Sequence, residues 1–138
     1  MVEEIAPTKL IMKVSAKALA DLDTFSKSDP KVTLLQFQQN AWSPVEGCQT
    51  EVINDNLNPT FETPIVFMAT NLQLKVRFIV EDDDGALSSD EIGHADTTIE
   101  TLLNLAYDEK SFEAVLAYDA EPGRKNGSIT VQCRVEEQ

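Results

Sequence analysis

Alternation of apolar and polar positions dominates the chain. From Leu72 to Val80, the residues Leu72, Leu74, Val76, Phe78 and Val80 share one face, and Gln73, Lys75 and Arg77 share the other. That pattern predicts a strand with one side in a core and the other in water. Ile129, Val131, Cys133 and Val135 alternate in the same way with Ser128, Thr130, Gln132 and Arg134. Leu10, Met12 and Val14 alternate with Ile11, Lys13 and Ser15. Weaker strand patterns cover 32–38, 48–53, 64–68, 93–97 and 112–117, which brings the expected total to eight. Ile99, Leu102, Leu103 and Ala106 fall at helical spacing and predict one short helix. Short strands separated by turn-rich stretches predict an all-β fold, an eight-stranded antiparallel sandwich. If successive strands alternate in direction, the first, third, fifth and seventh connections share one end. Those connections are roughly 16–31, 54–63, 81–92 and 118–127.

Length and charge narrow the picture. The 138 residues suit one domain, 1–138, with no repeat or linker to divide it. Acidic residues outnumber basic ones 24 to 11, giving a formal charge of -13. Such a chain is repelled by nucleic acid and, unaided, by anionic membranes. No apolar run approaches the ~20 residues of a transmembrane helix. The opening MVEEIAPTKL carries no apolar signal segment. Cys48 and Cys133 are too few for a disulfide framework, so the expected setting is cytoplasmic with free thiols.

The acidic charge is unevenly placed. Residues 81–100 hold eight acidic side chains and no Lys or Arg, densest at Glu81-Asp82-Asp83-Asp84 and again at Asp90-Glu91. Asp21, Asp23 and Asp29 form a second acidic stretch, which the alternation of strands places at the same end. Converging carboxylates repel one another unless a cation neutralises them. Oxygen donors at this density suit calcium, which takes six to eight oxygen ligands; zinc favours His or Cys, which are scarce here. The plain alternative is a solvated acidic loop serving solubility. A second calcium reading is an EF-hand loop over 82–91, but its first ligand position falls on Val80 and a strand pattern precedes it where a helix is required. An enzyme is not expected: the acids lack a Ser, Cys or His nucleophile constellation, and no Gly-rich phosphate loop is present.

Three segments resemble the calcium loops of C2 domains, and they occur in that family's order. Asp23-Thr-Phe-Ser-Lys-Ser-Asp29-Pro30 resembles the first loop. Thr50-Glu-Val-Ile-Asn-Asp-Asn-Leu-Asn58-Pro59-Thr-Phe61 is similar to the Leu-Asn-Pro segment, and Phe78-Ile-Val-Glu-Asp82-Asp-Asp84 continued by Asp90-Glu-Ile-Gly93 resembles the third loop. The wording around Asp23 and Thr50 resembles the first C2 domain of copines; with no second C2 domain or A-domain within these 138 residues, an excised domain or a single-domain relative is expected. The resemblance implies the permuted, type II C2 topology. It implies two or three calcium ions held by Asp23, Asp29, Asp82, Asp84 and Asp90, with the backbone carbonyls of Leu22 and Asp83 in the shell. It also implies calcium-dependent recruitment from the cytoplasm to anionic phospholipid such as phosphatidylserine, as a peripheral membrane protein. A calcium-regulated protein-interaction module is the alternative.

The chain departs from the family pattern at three places. Lys31 stands where an aromatic usually follows Ser-Asp-Pro, and Glu91 follows the last ligand where an apolar residue is usual. Asn54-Asp55-Asn56 replaces the lysines that bind polyphosphoinositides in many C2 domains. At the expected loop tips, Phe25 and Leu87 are candidate membrane contacts, although Phe25 has folding back over its own loop as an equal alternative. Arg124 and Lys125 fall at the same end and offer a phosphate contact; the blander reading, a basic turn in Glu121-Pro-Gly-Arg-Lys-Asn-Gly127, is preferred. Trp42 and His94 read as packing residues, and Cys133 as an inert buried thiol.

Overall fold

The computed structural model describes residues 3–22, 27–83 and 89–136. Eight strands and one helix follow in the order β1 Glu4–Lys17, β2 Pro30–Gln38, β3 Ala41–Gln49, β4 Ile65–Asn71, β5 Lys75–Asp83, β6 Ser89–Thr98, α1 Ile99–Tyr107, β7 Ser111–Val115 and β8 Ser128–Glu136. They form two four-stranded antiparallel sheets, ordered β4-β1-β8-β7 and β3-β2-β5-β6. The last strand lies inside its sheet, between the first strand (Met12 opposite Cys133) and β7 (Ser111 opposite Gln132), which is the type II arrangement.

The alternation read from the sequence is what closes the sandwich. Leu10, Met12, Val14 and Ala16 of β1 are buried, as are Val76, Phe78 and Val80 of β5. Ile129 and Val131 of β8 and Val32 and Leu34 of β2 complete the layer between the sheets. Phe78 packs on Phe112, with ring centroids 5.9 Å apart. Helix α1 begins at Thr98, whose side chain accepts a hydrogen bond from the Thr101 N–H, and it buries Ile99, Leu102 and Leu103.

Strand β3 differs from expectation. It runs over 41–49 rather than 48–53, because Gln39 and Asn40 both adopt positive φ (53° and 63°) and make a two-residue hairpin with Gln38 opposite Ala41. Its sequence hides the strand: Pro44 and the bulge around Gly47 (φ 79°) break the alternation, as an edge strand permits. Trp42 therefore lies within β3, packed edge-on against Phe37 at 5.2 Å and under the Arg77 guanidinium at 4.4 Å. The Asp96 carboxylate fixes that guanidinium through two hydrogen bonds of 2.7 and 2.9 Å.

Strand β5 also runs further than the apolar pattern, reaching Asp83. Asp82 falls on the inward phase set by Val76, Phe78 and Val80 and is fully buried. Strands flank both sides of residues 84–88, so the EF-hand alternative, which needs helices there, is excluded.

Candidate functional site

The first, third and seventh connections meet at one end, the end where β5 stops and β6 starts. The Leu19 N–H donates to the Leu57 carbonyl at 3.0 Å and the Ala16 N–H to the Pro59 carbonyl at 2.9 Å. The Ala18 N–H donates to Asn58 Oδ1 at 2.9 Å, so the Asn-Pro turn anchors the entry to the first loop. Ser28, fully buried, closes that loop on itself. Its hydroxyl accepts from the Leu22 N–H and donates to the Ala20 carbonyl, each at 3.0 Å. The serine of Ser-Asp-Pro thus has a local structural reason: it holds residues 20–22 and 28 together across the loop.

Three of the five candidate aspartates are described, and backbone pairing brings them to one place. The Asp29 N–H donates to Asp82 Oδ1 at 2.8 Å, and the Asp83 N–H donates to the Asp29 carbonyl at 2.9 Å. Asp82 sits opposite Asp90 in the β5–β6 ladder. Asp23 and Asp84 lie outside the described residues, as do Phe25 and Leu87. Among the described residues, no three acidic, His or Cys side chains converge tightly enough to hold a metal by themselves. The donor chemistry nonetheless suits a hard cation: carboxylates with backbone carbonyls beside them, at the rim where Leu22 precedes Asp23 and Asp83 precedes Asp84.

Two residues that the sequence did not single out as partners shape this rim. The Asp55 N–H donates to Asp29 Oδ1 at 2.6 Å, while Asp55 Oδ1 accepts from the Lys27 N–H at 2.5 Å. Asp55 can do both because it adopts φ 54°, a conformation Asp tolerates. The Asn-Asp-Asn stretch that replaces the lysines thus orients a candidate ligand. Lys31 places its ammonium 3.9 Å from Asp83 Oδ2, so the departure from an aromatic puts a counter-charge beside the acidic strand.

Arg124 is built into the seventh connection. Its Nε donates to Asn126 Oδ1 at 2.5 Å, and its Nη2 to the Ile92 carbonyl at 2.7 Å and the Glu91 carbonyl at 3.2 Å. The guanidinium also stacks on Tyr118 at 4.0 Å. Lys125 beside it is exposed. Arg124→Ala is expected to lower folding stability by about 1.5–3 kcal/mol through the lost charged hydrogen bonds. Urea denaturation checks this; a loss below about 0.5 kcal/mol would mean that these contacts do not hold the turn.

His94 is nearly buried, with Nδ1 2.6 Å from Glu91 Oε2 and Nε2 3.7 Å from Asp119 Oδ1. Its backbone exchanges two hydrogen bonds of 2.9 Å with Ala117, which explains its packing role. Burial pushes the Cys133 thiol up to about 11 and raises that of Cys48, so both stay protonated and unreactive near neutral pH.

The fold is a β-sandwich module with acidic residues gathered at one end. A family model for the C2 domain matches residues 9–114. The chain belongs to the C2 domain family. It is similar to Copine-A of Dictyostelium discoideum (30% identical over 125 residues, 90% of this chain and 20% of that protein). Copine-E of the same organism is 28% identical over 131 residues, 90% of this chain and 22% of that protein. The chain therefore spans about a fifth of these relatives. Among solved structures, a C2 domain of plant extended synaptotagmin 1 superposes with a TM-score of 0.73 at 19% identity, covering 97% of this chain and 98% of that one.

Proposed function

We propose that the chain is a single C2 domain that attaches to anionic phospholipid when calcium fills its acidic rim. The observation that carries this reading is the meeting of Asp29, Asp82 and Asp90 from three separate segments, joined by the 2.8 Å bond from the Asp29 amide to Asp82 and by the pairing of Asp82 with Asp90. With Asp23 and Asp84, on the loops that continue from these residues, the rim carries five negative charges. Without metal, that charge repels phosphatidylserine headgroups. Two calcium ions add four positive charges and leave coordination positions that lipid phosphate or carboxylate oxygens can complete; a third ion would reverse the sign outright.

The chain's own residues supply the rest. Ser28, Asn58 and Asp55 tie the described parts of the first and third connections together through the hydrogen bonds given above. Phe25 and Leu87 are the proposed apolar contacts, each contributing roughly 1.5–3 kcal/mol if fully buried in the lipid interface. No described helix is long and apolar enough to cross a membrane, which agrees with peripheral attachment. The proposed role is recruitment from the cytoplasm rather than catalysis.

Co-sedimentation with phosphatidylserine-containing vesicles tests the reading. Binding is expected in calcium and not in chelator, and paired substitution Asp82→Asn with Asp84→Asn is expected to weaken it at least about tenfold, the size of losing ~1.4 kcal/mol. Binding that ignores both chelator and substitutions would overturn it. Calcium uptake without any vesicle binding would favour the protein-interaction module instead.

A further inference from the structure

A concave surface lies away from the acidic rim, where the outer face of the sheet β4-β1-β8-β7 meets the open edge of β8. Strand β7 pairs with β8 only as far as Ser111 opposite Gln132. Beyond that point, Cys133–Glu136 keep β1 on one flank, while α1 and the turn after it take the place of β7 on the other. The replacement leaves a trough of about 670 Å³ between the turn 107–110 and the sheet, within the size range of ligand clefts. Its apolar lining comes from Ile11, Pro64, Ala106, Tyr107, Cys133 and Val135. Tyr107 is 60% exposed, a large apolar surface left to water.

Charge singles out this trough. In a chain of net charge -13, three cations line it (Lys13, Lys110 and Arg134) against the one carboxylate of Glu109. Neither Lys13 nor Lys110 has an ion pair among the described residues. The apolar surface continues sideways, since Ile11 lies opposite Val66 in the ladder and Val66 and Met68 are 40% and 45% exposed on the edge strand β4. A basic partner would be drawn instead to the other 23 of the chain's 24 acidic residues.

We propose that this trough docks an extended, acidic peptide segment of a partner protein, its carboxylates on Lys13, Lys110 and Arg134 and its apolar side chains on Ile11 and Tyr107. The surface is independent of the calcium reading. It lies on the flank of the sandwich, so a domain docked by its rim would still present it to a soluble partner.

Fluorescence anisotropy in chelator tests the proposal, using the whole chain and a labelled twelve-residue peptide alternating glutamate and leucine. Binding is expected, with amide chemical-shift changes at Ser111, Gln132 and Arg134 and none at 53–57. Lys13→Glu with Lys110→Glu is expected to weaken it about tenfold, since two attractive surface charge pairs become repulsive. Lys125→Glu, an exposed lysine on another connection, is expected to change it by less than about twofold. Equal loss with Lys125→Glu would reduce the effect to net charge and overturn the proposal. So would undiminished binding by the double variant, shifts confined to other surfaces, or no binding at millimolar peptide. Occupation of the same residues by phosphatidylserine vesicles in chelator, or by a second copy of the chain on concentration, would assign the surface to those occupants instead.

Discussion

Calcium at a hundredfold excess over its dissociation constant is expected to raise the thermal unfolding midpoint by roughly 10 °C, the equivalent of about 2.7 kcal/mol. The gain arises because the ion binds only where the folded chain brings its carboxylates together; in the unfolded chain Asp29 and Asp82 are far apart. Asp82→Asn separates the site from the fold. Asparagine keeps an oxygen that can accept the Asp29 N–H, now made to Asp82 at 2.8 Å, while removing a full negative charge from a buried position. The variant is therefore expected to unfold within about 1 kcal/mol of the parent in chelator, because a neutral amide costs less to bury than a carboxylate. In calcium it is expected to lose most of the added stability. Differential scanning calorimetry with calcium and with chelator reads both arms. A parent midpoint indifferent to calcium, or a variant with the full shift, would remove Asp82 from the metal shell.

Gly127→Ala is expected to cost about 3 kcal/mol or more of folding stability. Gly127 adopts φ +94°, a region essentially closed to L side chains, and a Cβ there would stand 2.4 Å from the Lys17 carbonyl oxygen and 2.7 Å from that of Ala18. Those atoms are backbone, at the point where β1 ends and the first acidic loop begins, so they cannot swing aside. Its own carbonyl also accepts the Leu116 N–H at 2.9 Å, which ties the two ends of the seventh connection together. Gly123, four residues earlier, has nothing within 4 Å of the corresponding position. Gly123→Ala is expected to change stability by less than about 0.5 kcal/mol. Equal urea midpoints for the two variants would show that the close approach at Gly127 carries no cost. Because the clash falls on Lys17 and Ala18, the Gly127 variant is also expected to weaken calcium uptake, as the first loop loses its fixed entry.

Much of this architecture is legible in one dimension because a half-buried strand writes its orientation into every second residue. Val76, Phe78 and Val80 announce the central strand, and the same phase carried one residue pair further explains why Asp82 points inward. Helix α1 is equally readable, since Ile99, Leu102 and Leu103 must share a face to reach the core. Strand β3 is not. An edge strand buries little, so its composition follows the hairpin and the bulge rather than the core, and Gln39-Asn40 adopts left-handed geometry without the glycine that usually marks such a turn. The role of Arg124 is also hidden: a basic residue in a polar turn looks solvated until folding brings the Glu91 and Ile92 carbonyls to it across more than thirty residues of chain.

From the sequence alone came the alternation that makes two sheets, the excess of acid, and the motifs that belong to C2 domains. Those are local properties, set by which side chains avoid water and which oxygens lie close along the chain. Tertiary structure decided which distant groups became neighbours. It put the Asp29 amide on Asp82, made Asp55 an orienting partner of Asp29, and opened a cation-lined trough where β7 stops short of the end of β8. Hydrogen bonds and charges act over a few ångströms of space, whereas the residues that make these contacts are separated by tens of positions in the chain.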